Sequence, residues 1–211
     1  MSLETIYEAV LNGDAKKAEA EVKAALEANT PAADILHQAC IPAMTEVGHL
    51  FEIGEKFVPE MLISARAMQA ALQLLKPHLI KAGVQSLGKV VIGTVAGDLH
   101  DIGKNLVAMM LEGAGFEIVD LGTDVSAEKF VNAVRENKPD IVGMSALLTT
   151  TMTSIRGTIE ALGQAGLRDK VKVMVGGAPV TQDFANKVGA DGFAPDAGSA
   201  PRVAKAVLGV A

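Results

Sequence analysis

The sequence predicts an α/β chain: a four-helix bundle over residues 1–84, then a doubly wound, five-stranded parallel sheet over residues 88–211. Three observations point there. From Lys89 onward, short apolar and β-branched runs alternate with segments of helical period, the signature of β–α–β crossovers. Up to about residue 82, apolar residues recur every three or four positions, as they do in amphipathic helices. Between the two lies Lys81-Ala82-Gly83-Val84-Gln85-Ser86-Leu87-Gly88, a linker too short to carry its flanks far apart.

In the first part, Leu3, Ile6, Tyr7, Val10 and Leu11 fall at helical spacing, and Asn12-Gly13 stops that helix. Asp14 caps a second helix, Ala15 to about Ala28, with Ala18, Val22, Ala25 and Leu26 on one face. Thr30-Pro31 reads as an N-cap followed by proline at the first position of a third helix. That helix runs to about Phe51, with Pro42 as a kink inside it. Ile53-Gly54-Glu55-Lys56 is a turn. Val58-Pro59-Glu60 opens a fourth helix, Met61 to about Ile80, whose predicted buried stripe is Leu62, Ala65, Met68, Leu72 and Leu75. Four helices with short connections predict a small bundle.

In the second part, strands are predicted near residues 89–95, 117–121, 140–147, 172–175 and 191–194. Helices are predicted near 104–113, 127–137 (with Ser126 as N-cap), 150–163, 181–188 and 200–208. Right-handed crossovers then give a flavodoxin-like, Rossmann-like strand order, with its switch point beside the first strand. The loops after the first and third strands flank one crevice in that arrangement.

Of 211 residues 49% are hydrophobic and none is tryptophan, so the core is aliphatic. A net charge of −6 argues against nucleic acid as a main partner, because phosphate binding needs a basic face. No apolar run reaches the roughly 18 residues of a membrane span. Met1-Ser2-Leu3-Glu4-Thr5 has neither the basic start nor the apolar centre of a signal peptide, and a cytoplasmic protein is expected. Cys40 stands alone in an apolar helical context and reads as a buried free thiol. His37, His49 and His78 have no second ligand at metal-binding spacing and read as surface or packing residues.

The chemistry concentrates in Gly97-Asp98-Leu99-His100-Asp101-Ile102-Gly103, a polar loop between a buried strand and a helix. In open parallel sheets, ligands bind in such loops. A neutral imidazole is a common metal ligand, and a carboxylate on its other nitrogen fixes the tautomer. Asp98, two residues before His100, is placed for that. Alone, Asp-x-His-x-x-Gly is a weak signal. It is followed after 41 residues by Ser145-Ala146-Leu147, and after 28 more by Gly176-Gly177. Paired glycines at a strand end let a ligand approach the backbone, or simply make a tight turn. Small and hydroxylated residues, Ser145 to Thr149, end another strand. Asp98 and Asp101 also allow a phospho-acceptor reading, which explains neither His100 nor the glycine pair. No phosphate-cradling lysine loop occurs.

This composite resembles the corrinoid-binding signature of cobalamin-dependent methyltransferases and mutases. The whole chain resembles the small corrinoid proteins of methyltransferase systems acting on methanol, methylamines, methoxylated or betaine-type compounds. The resemblance implies cobalamin or a related corrinoid, its own base displaced and His100 as lower cobalt ligand, with Asp98 behind it. It implies that Gly97, Asp98, Leu99, His100, Asp101 and Gly103 line the corrin. Ser145, Leu147, Thr149, Gly176 and Gly177 would line the tail site, and Phe193-Ala194-Pro195-Asp196-Ala197 matches the last contact region, with Ala197 there. Thr151 stands where methionine synthase has a serine that continues the Asp–His relay. Gly48 to Met61 is similar to the cap segment of methionine synthase, which puts Phe51, Val58 and Met61 at positions covering the reactive face, with Val58 where leucine is expected.

The implied activity is that of a methyl carrier, loaded as methylcob(III)alamin. A substrate-specific methyltransferase delivers the methyl group, a second methyltransferase removes it and a reductive activase restores the cofactor. The chain has no further catalytic constellation, so it reads as a carrier and not a complete enzyme. Other readings stay open: a mutase small subunit, a cobalamin-dependent light or ligand sensor with a regulatory role, or a cofactor-free structural domain. The helical cap argues against the first and the lack of a DNA-binding element against the second; the intact motif fits the third poorly.

Overall fold

The computed structural model describes residues 3–210; Met1-Ser2, part of the stretch read for a leader, and Ala211 lie outside the described residues. Contacts divide the chain into two compact units, residues 1–86 with 113–115, and residues 87–112 with 116–211.

The first unit is helical: α1 (Leu3–Leu11), α2 (Ala15–Glu27), α3 (Ala32–Ile35), α4 (Ile41–Glu52) and α5 (Val58–Lys81). The α2 cap is as predicted, with the Lys17 amide donating to Asp14 Oδ1 at 3.0 Å. Its other end differs from the sequence reading. Asn29 takes a left-handed φ of 61°, and the Thr30 and Asn29 amides bond back to the Ala25 and Leu26 carbonyls. Thr30 therefore closes α2 in a Schellman motif and caps nothing. Pro31 takes the N-cap position of α3 without a side-chain bond.

Pro42 does not lie inside one regular α-helix. A π-helical turn, Leu36–Cys40, precedes it, and the Ile41 amide bonds the Leu36 carbonyl. Proline has no N–H and its ring crowds the carbonyl four residues back, so widening the preceding turn accommodates it. In α5 the inward residues are Met61, Ser64, Ala65, Ala67, Met68, Ala71, Leu75 and Leu79, whereas Leu62 and Leu72 are only half-buried. The stripe is turned toward small residues because alanines let α5 approach α2, whose own buried face is Ala18, Val22 and Ala25. Lys56 Nζ and Ser64 Oγ both donate to the Leu11 carbonyl at 2.9 Å, closing the end of α1. Cys40 is fully buried, which pushes its thiol up to about 12 and makes it unreactive.

The second unit runs β1 (Lys89–Thr94), α6 (Ile102–Gly113), β2 (Glu117–Asp120), α7 (Ala127–Asn137), β3 (Ile141–Ser145), α8 (Met152–Gln164), β4 (Lys172–Gly176), α9 (Gln182–Val188), β5 (Gly192–Phe193) and α10 (Ala200–Leu208). All pairs are parallel, in the order β2-β1-β3-β4-β5, the predicted flavodoxin-like arrangement. β1 and β3 are nearly continuous buried apolar runs, as strands covered on both faces must be. A core centred on Val91, Val142, Val173 and Phe130 packs under α7 and α8. Four strands are shorter than predicted, while β4 runs one residue further, to Gly176; β3 stops at Ser145, where the chain turns to meet the β1 loop.

The register decides what happens at the rim. Thr94 pairs with Ser145, and Ser145 pairs with Gly176. The ends of three adjacent strands thus stand at one level, and the three motif segments leave the sheet side by side. The chain reverses sheet direction between β1 and β3, the switch point where open sheets take ligands.

Candidate functional site

The loop after β1 is built by backbone bonds. The Asp98 amide donates to the Val95 carbonyl at 3.1 Å, and Gly97 takes φ +82°, a conformation that favours glycine. Thr94 Oγ1 donates to the His100 carbonyl at 2.8 Å and folds the loop back over the strand end.

Asp98 is fully buried and accepts from four residues, the weakest bond being the Leu148 amide to Oδ2 at 3.4 Å. Oδ1 accepts from the His100 amide (3.1 Å) and lies 2.7 Å from His100 Nδ1. Oδ2 accepts from the Leu147 amide at 2.7 Å and from Thr151 Oγ1 at 2.8 Å. Burial alone would raise the carboxyl, but the Leu147 amide, the imidazole and amide of His100, and the Thr151 hydroxyl outweigh it. They hold Asp98 well below the usual carboxylate range, so it is ionised and keeps the proton on His100 Nδ1. The threonine methyl is no obstacle to this geometry. It faces Gly97, where a Cβ would stand 3.6 Å from it, and the hydroxyl is left toward Asp98.

The His100 side chain is 52% exposed, and among the described residues nothing bonds its Nε2. With Nδ1 committed to Asp98, the Nε2 lone pair is left unbonded, the state in which an imidazole can ligate a metal. Around it stand exposed apolar side chains: Leu99 and Ile102 at 74%, with Leu147 and Leu148 about two-fifths exposed. Ile102 and Leu148 were not singled out from sequence. Their signal is only apolar character in a loop. An uncovered imidazole on a rim that also exposes leucine and isoleucine suits a flat, largely apolar macrocycle carrying a metal. Among the described residues no three His, Cys, Asp or Glu side chains gather to hold a bare ion. One imidazole fits the axial place of a metal whose other ligands come with its cofactor.

The remaining motif residues lie along the same rim. Ser145 and Gly176 end β3 and β4, and Thr149 is exposed on the loop that carries Leu147. Gly177 has φ +121°, and a Cβ there would stand 1.9 Å from the Ala146 carbonyl oxygen. This glycine is therefore required by the neighbouring loop's own backbone. Gly176 is confined less severely, its Cβ position lying 3.0 Å from the Ala194 carbonyl oxygen. Ala197 is buried in a turn braced by Ser199, whose amide and hydroxyl donate to Asp196 Oδ1. Gly103 and Asp101 are exposed, and nothing lies within 4 Å of a Cβ built on Gly103. In the helical unit, Phe51 is in the last turn of α4 and Val58 opens α5, both half-buried, while Met61, one turn on, is fully buried.

Asp98→Asn is expected to cost about 2–4 kcal/mol at neutral pH, because an amide nitrogen then faces donors and a buried network loses its charge. The folded pKa of Asp98 is depressed, so its stabilisation is complete above the ordinary aspartate value near ~3.9 and falls away as pH drops toward the folded value. Urea unfolding at pH 7 and at pH 3 checks this: the gap between wild type and variant narrows in acid. An equal gap at both would contradict the ionised buried carboxylate.

The chain is similar to known proteins along nearly its whole length. Residues 88–203 match one B12 binding domain family and residues 2–76 match a second. A trimethylamine corrinoid protein of Methanosarcina barkeri is 45% identical over 205 residues, 96% of this chain and 94% of that protein. Among solved structures, a cobalamin-binding protein from Desulfitobacterium hafniense DCB-2 superposes with TM-score 0.84 at 35% identity, covering 98% of both chains. The methanol:cobalamin methyltransferase complex MtaBC of Methanosarcina barkeri gives TM-score 0.84 at 32% identity, covering 98% of this chain and 79% of that one. With both of its matched segments assigned to B12 binding domains, and a relative of this identity along nearly its full length, the chain belongs to the corrinoid proteins of the B12-binding family.

Proposed function

We propose that this chain is a methyl carrier that holds cobalamin base-off, with His100 Nε2 as the lower cobalt ligand. The observation that carries the reading is the Asp98–His100 pair, 2.7 Å apart, with the imidazole's other nitrogen exposed among Leu99, Ile102, Leu147 and Leu148. When bound, the corrin cobalt supplies a reduced, nucleophilic centre able to take up and release a methyl group.

The protein's part is to hold and tune. His100 Nε2 would hold the metal, while Asp98 Oδ1 retains the proton at Nδ1 and orients the ring, and Thr151 Oγ1 steadies Oδ2. The apolar side chains around His100 support the ring plane and keep water from the lower face. Ser145, Thr149, Gly176 and Gly177 offer hydroxyls and backbone to the displaced nucleotide tail. A substrate methyltransferase and a second methyltransferase act on the chain in turn, and a reductive activase keeps it in its reduced state; the relatives named as corrinoid proteins of methylamine and methanol systems support this reading. The relatives' names make methylated amines and methanol the first donors to test.

The experiment loads the chain with cobalamin, reduces it and follows the visible spectrum. Alone, it is expected to react slowly with donor; with the cognate methyltransferase it is expected to change rapidly from the reduced to the methylated spectrum. Turnover of donor and acceptor by the purified chain at enzymatic rates would overturn the carrier reading.

A further inference from the structure

We propose that Asp124, in the loop between β2 and α7, is a positioning residue that sets how firmly His100 is aimed at the metal; the inference rests on the ligand role given to His100 above. Asp98 is anchored through its carboxylate by the β3–α8 loop, but that leaves its backbone to be fixed from elsewhere. Asp124 fixes it from the opposite side. Its Oδ1 accepts from the Gly97 amide at 2.7 Å, and its own amide donates to the Asp98 carbonyl at 3.0 Å. These two bonds hold the peptide groups on either side of the Gly97–Asp98 peptide, so residues 97 and 98 are held at both ends. The first is charge-assisted, and so stronger than a bond between neutral groups.

The grip is made possible by two left-handed residues facing each other: Gly97 at φ +82° and Asp124 at φ +51°. Aspartate tolerates that conformation better than most side chains, and such residues persist where the surroundings hold them. The surroundings do so here. The Gly122 amide donates to Asp120 Oδ1 (2.9 Å), the Thr94 amide to the Gly122 carbonyl (3.0 Å), and the Val125 amide to the Thr94 carbonyl (2.9 Å). Lys104, only 2% exposed, puts its ammonium on Asp120 Oδ2 and braces the same loop from α6. Asp124 therefore belongs to a frame that does not itself touch the imidazole. Without these bonds, residues 97 and 98 can turn, which swings Asp98 Oδ1 away from His100 Nδ1 and frees the ring.

The test uses the full chain loaded with cobalamin. Asp124→Gly keeps the left-handed backbone and removes the acceptor; Asp124→Asn keeps the shape and weakens the acceptor, and serves alone where the glycine variant does not fold. The measurements are the fraction showing the histidine-ligated spectrum, the rate of cobalamin loss after dilution, and the melting temperature of the unloaded protein. Asp124→Gly is expected to release cobalamin about fivefold faster, the weight of one net hydrogen bond, with a smaller histidine-ligated fraction. Asp124→Asn is expected to restore part of both. A histidine-ligated spectrum and release rate equal to wild type in the folded variants, whatever the melting temperature does, would overturn the inference. A wild-type protein without any histidine-ligated spectrum would instead overturn the role given to His100.

Discussion

His100→Ala is expected to abolish the histidine-ligated spectrum of the cobalamin-loaded protein while leaving the unloaded fold intact. The side chain is half exposed and its one bond is to Asp98. The bond that closes the loop, from Thr94 Oγ1, goes to the His100 carbonyl and survives truncation. Asp98 keeps the His100 amide, the Leu147 amide and Thr151, so no buried charge is orphaned. Retention of cofactor is expected to fall by more than the roughly 10–100-fold that loss of a ligand's hydrogen-bonding partner costs a metal site. Added imidazole is expected to restore part of the spectrum, since the apolar surround remains. A variant spectrum identical to wild type would show that cobalt takes its lower ligand elsewhere.

Gly177→Ala is the second large effect, and it acts through the backbone. At φ +121° an L side chain is strained, a cost of about 1–3 kcal/mol by itself. The new Cβ would also stand 1.9 Å from the Ala146 oxygen and 2.8 Å from its carbonyl carbon. Only a shift of the β3–α8 loop relieves that, and this loop donates the Leu147 amide to Asp98. The expected loss is about 3–5 kcal/mol in denaturant unfolding, among the more severe single substitutions, together with poorer cobalamin uptake. Gly103→Ala is the matched control: with open space at its Cβ and a helical position, the unloaded protein is expected to be unchanged or about 1 kcal/mol more stable. A Gly177→Ala protein as stable as the control would refute the backbone argument.

The elements that could be read ahead of the structure are those with local physics behind them. Helices α7 and α10 have the predicted limits because an amphipathic pattern runs between clear ends: the Ser126 hydroxyl accepting from the Lys129 amide, and the left-handed Gly209. The five parallel strands and their order followed from alternation and handedness rules. Where two signals shared the same residues, local reading failed. Thr30 looks like a cap for the helix after it, yet its amide finishes the helix before it. Pro42 announces a disturbance but not that the preceding turn would widen to absorb it. At the site, Asp98 and His100 are two residues apart and their pairing was readable from spacing. Thr151, 53 positions from Asp98, was named through a family resemblance, and the direction of its methyl was not predictable. Asp124 had no signal at all. Its role lies in two backbone bonds to a segment 26 and 27 residues away, and the sequence shows only an aspartate in a turn.

Thr94, Ser145 and Gly176 end at one height because pleats and register put them there. The 41- and 28-residue intervals between the motif segments are therefore the lengths of detours, each leaving the rim and returning to it. Extra turns inserted into α7 or α8 would lengthen an interval and leave the rim as it is. One extra residue inside β3 would reverse the faces of everything after it and carry Leu147 away from Asp98. Descent within such a family is then free to edit its detours and bound to preserve its strand phase.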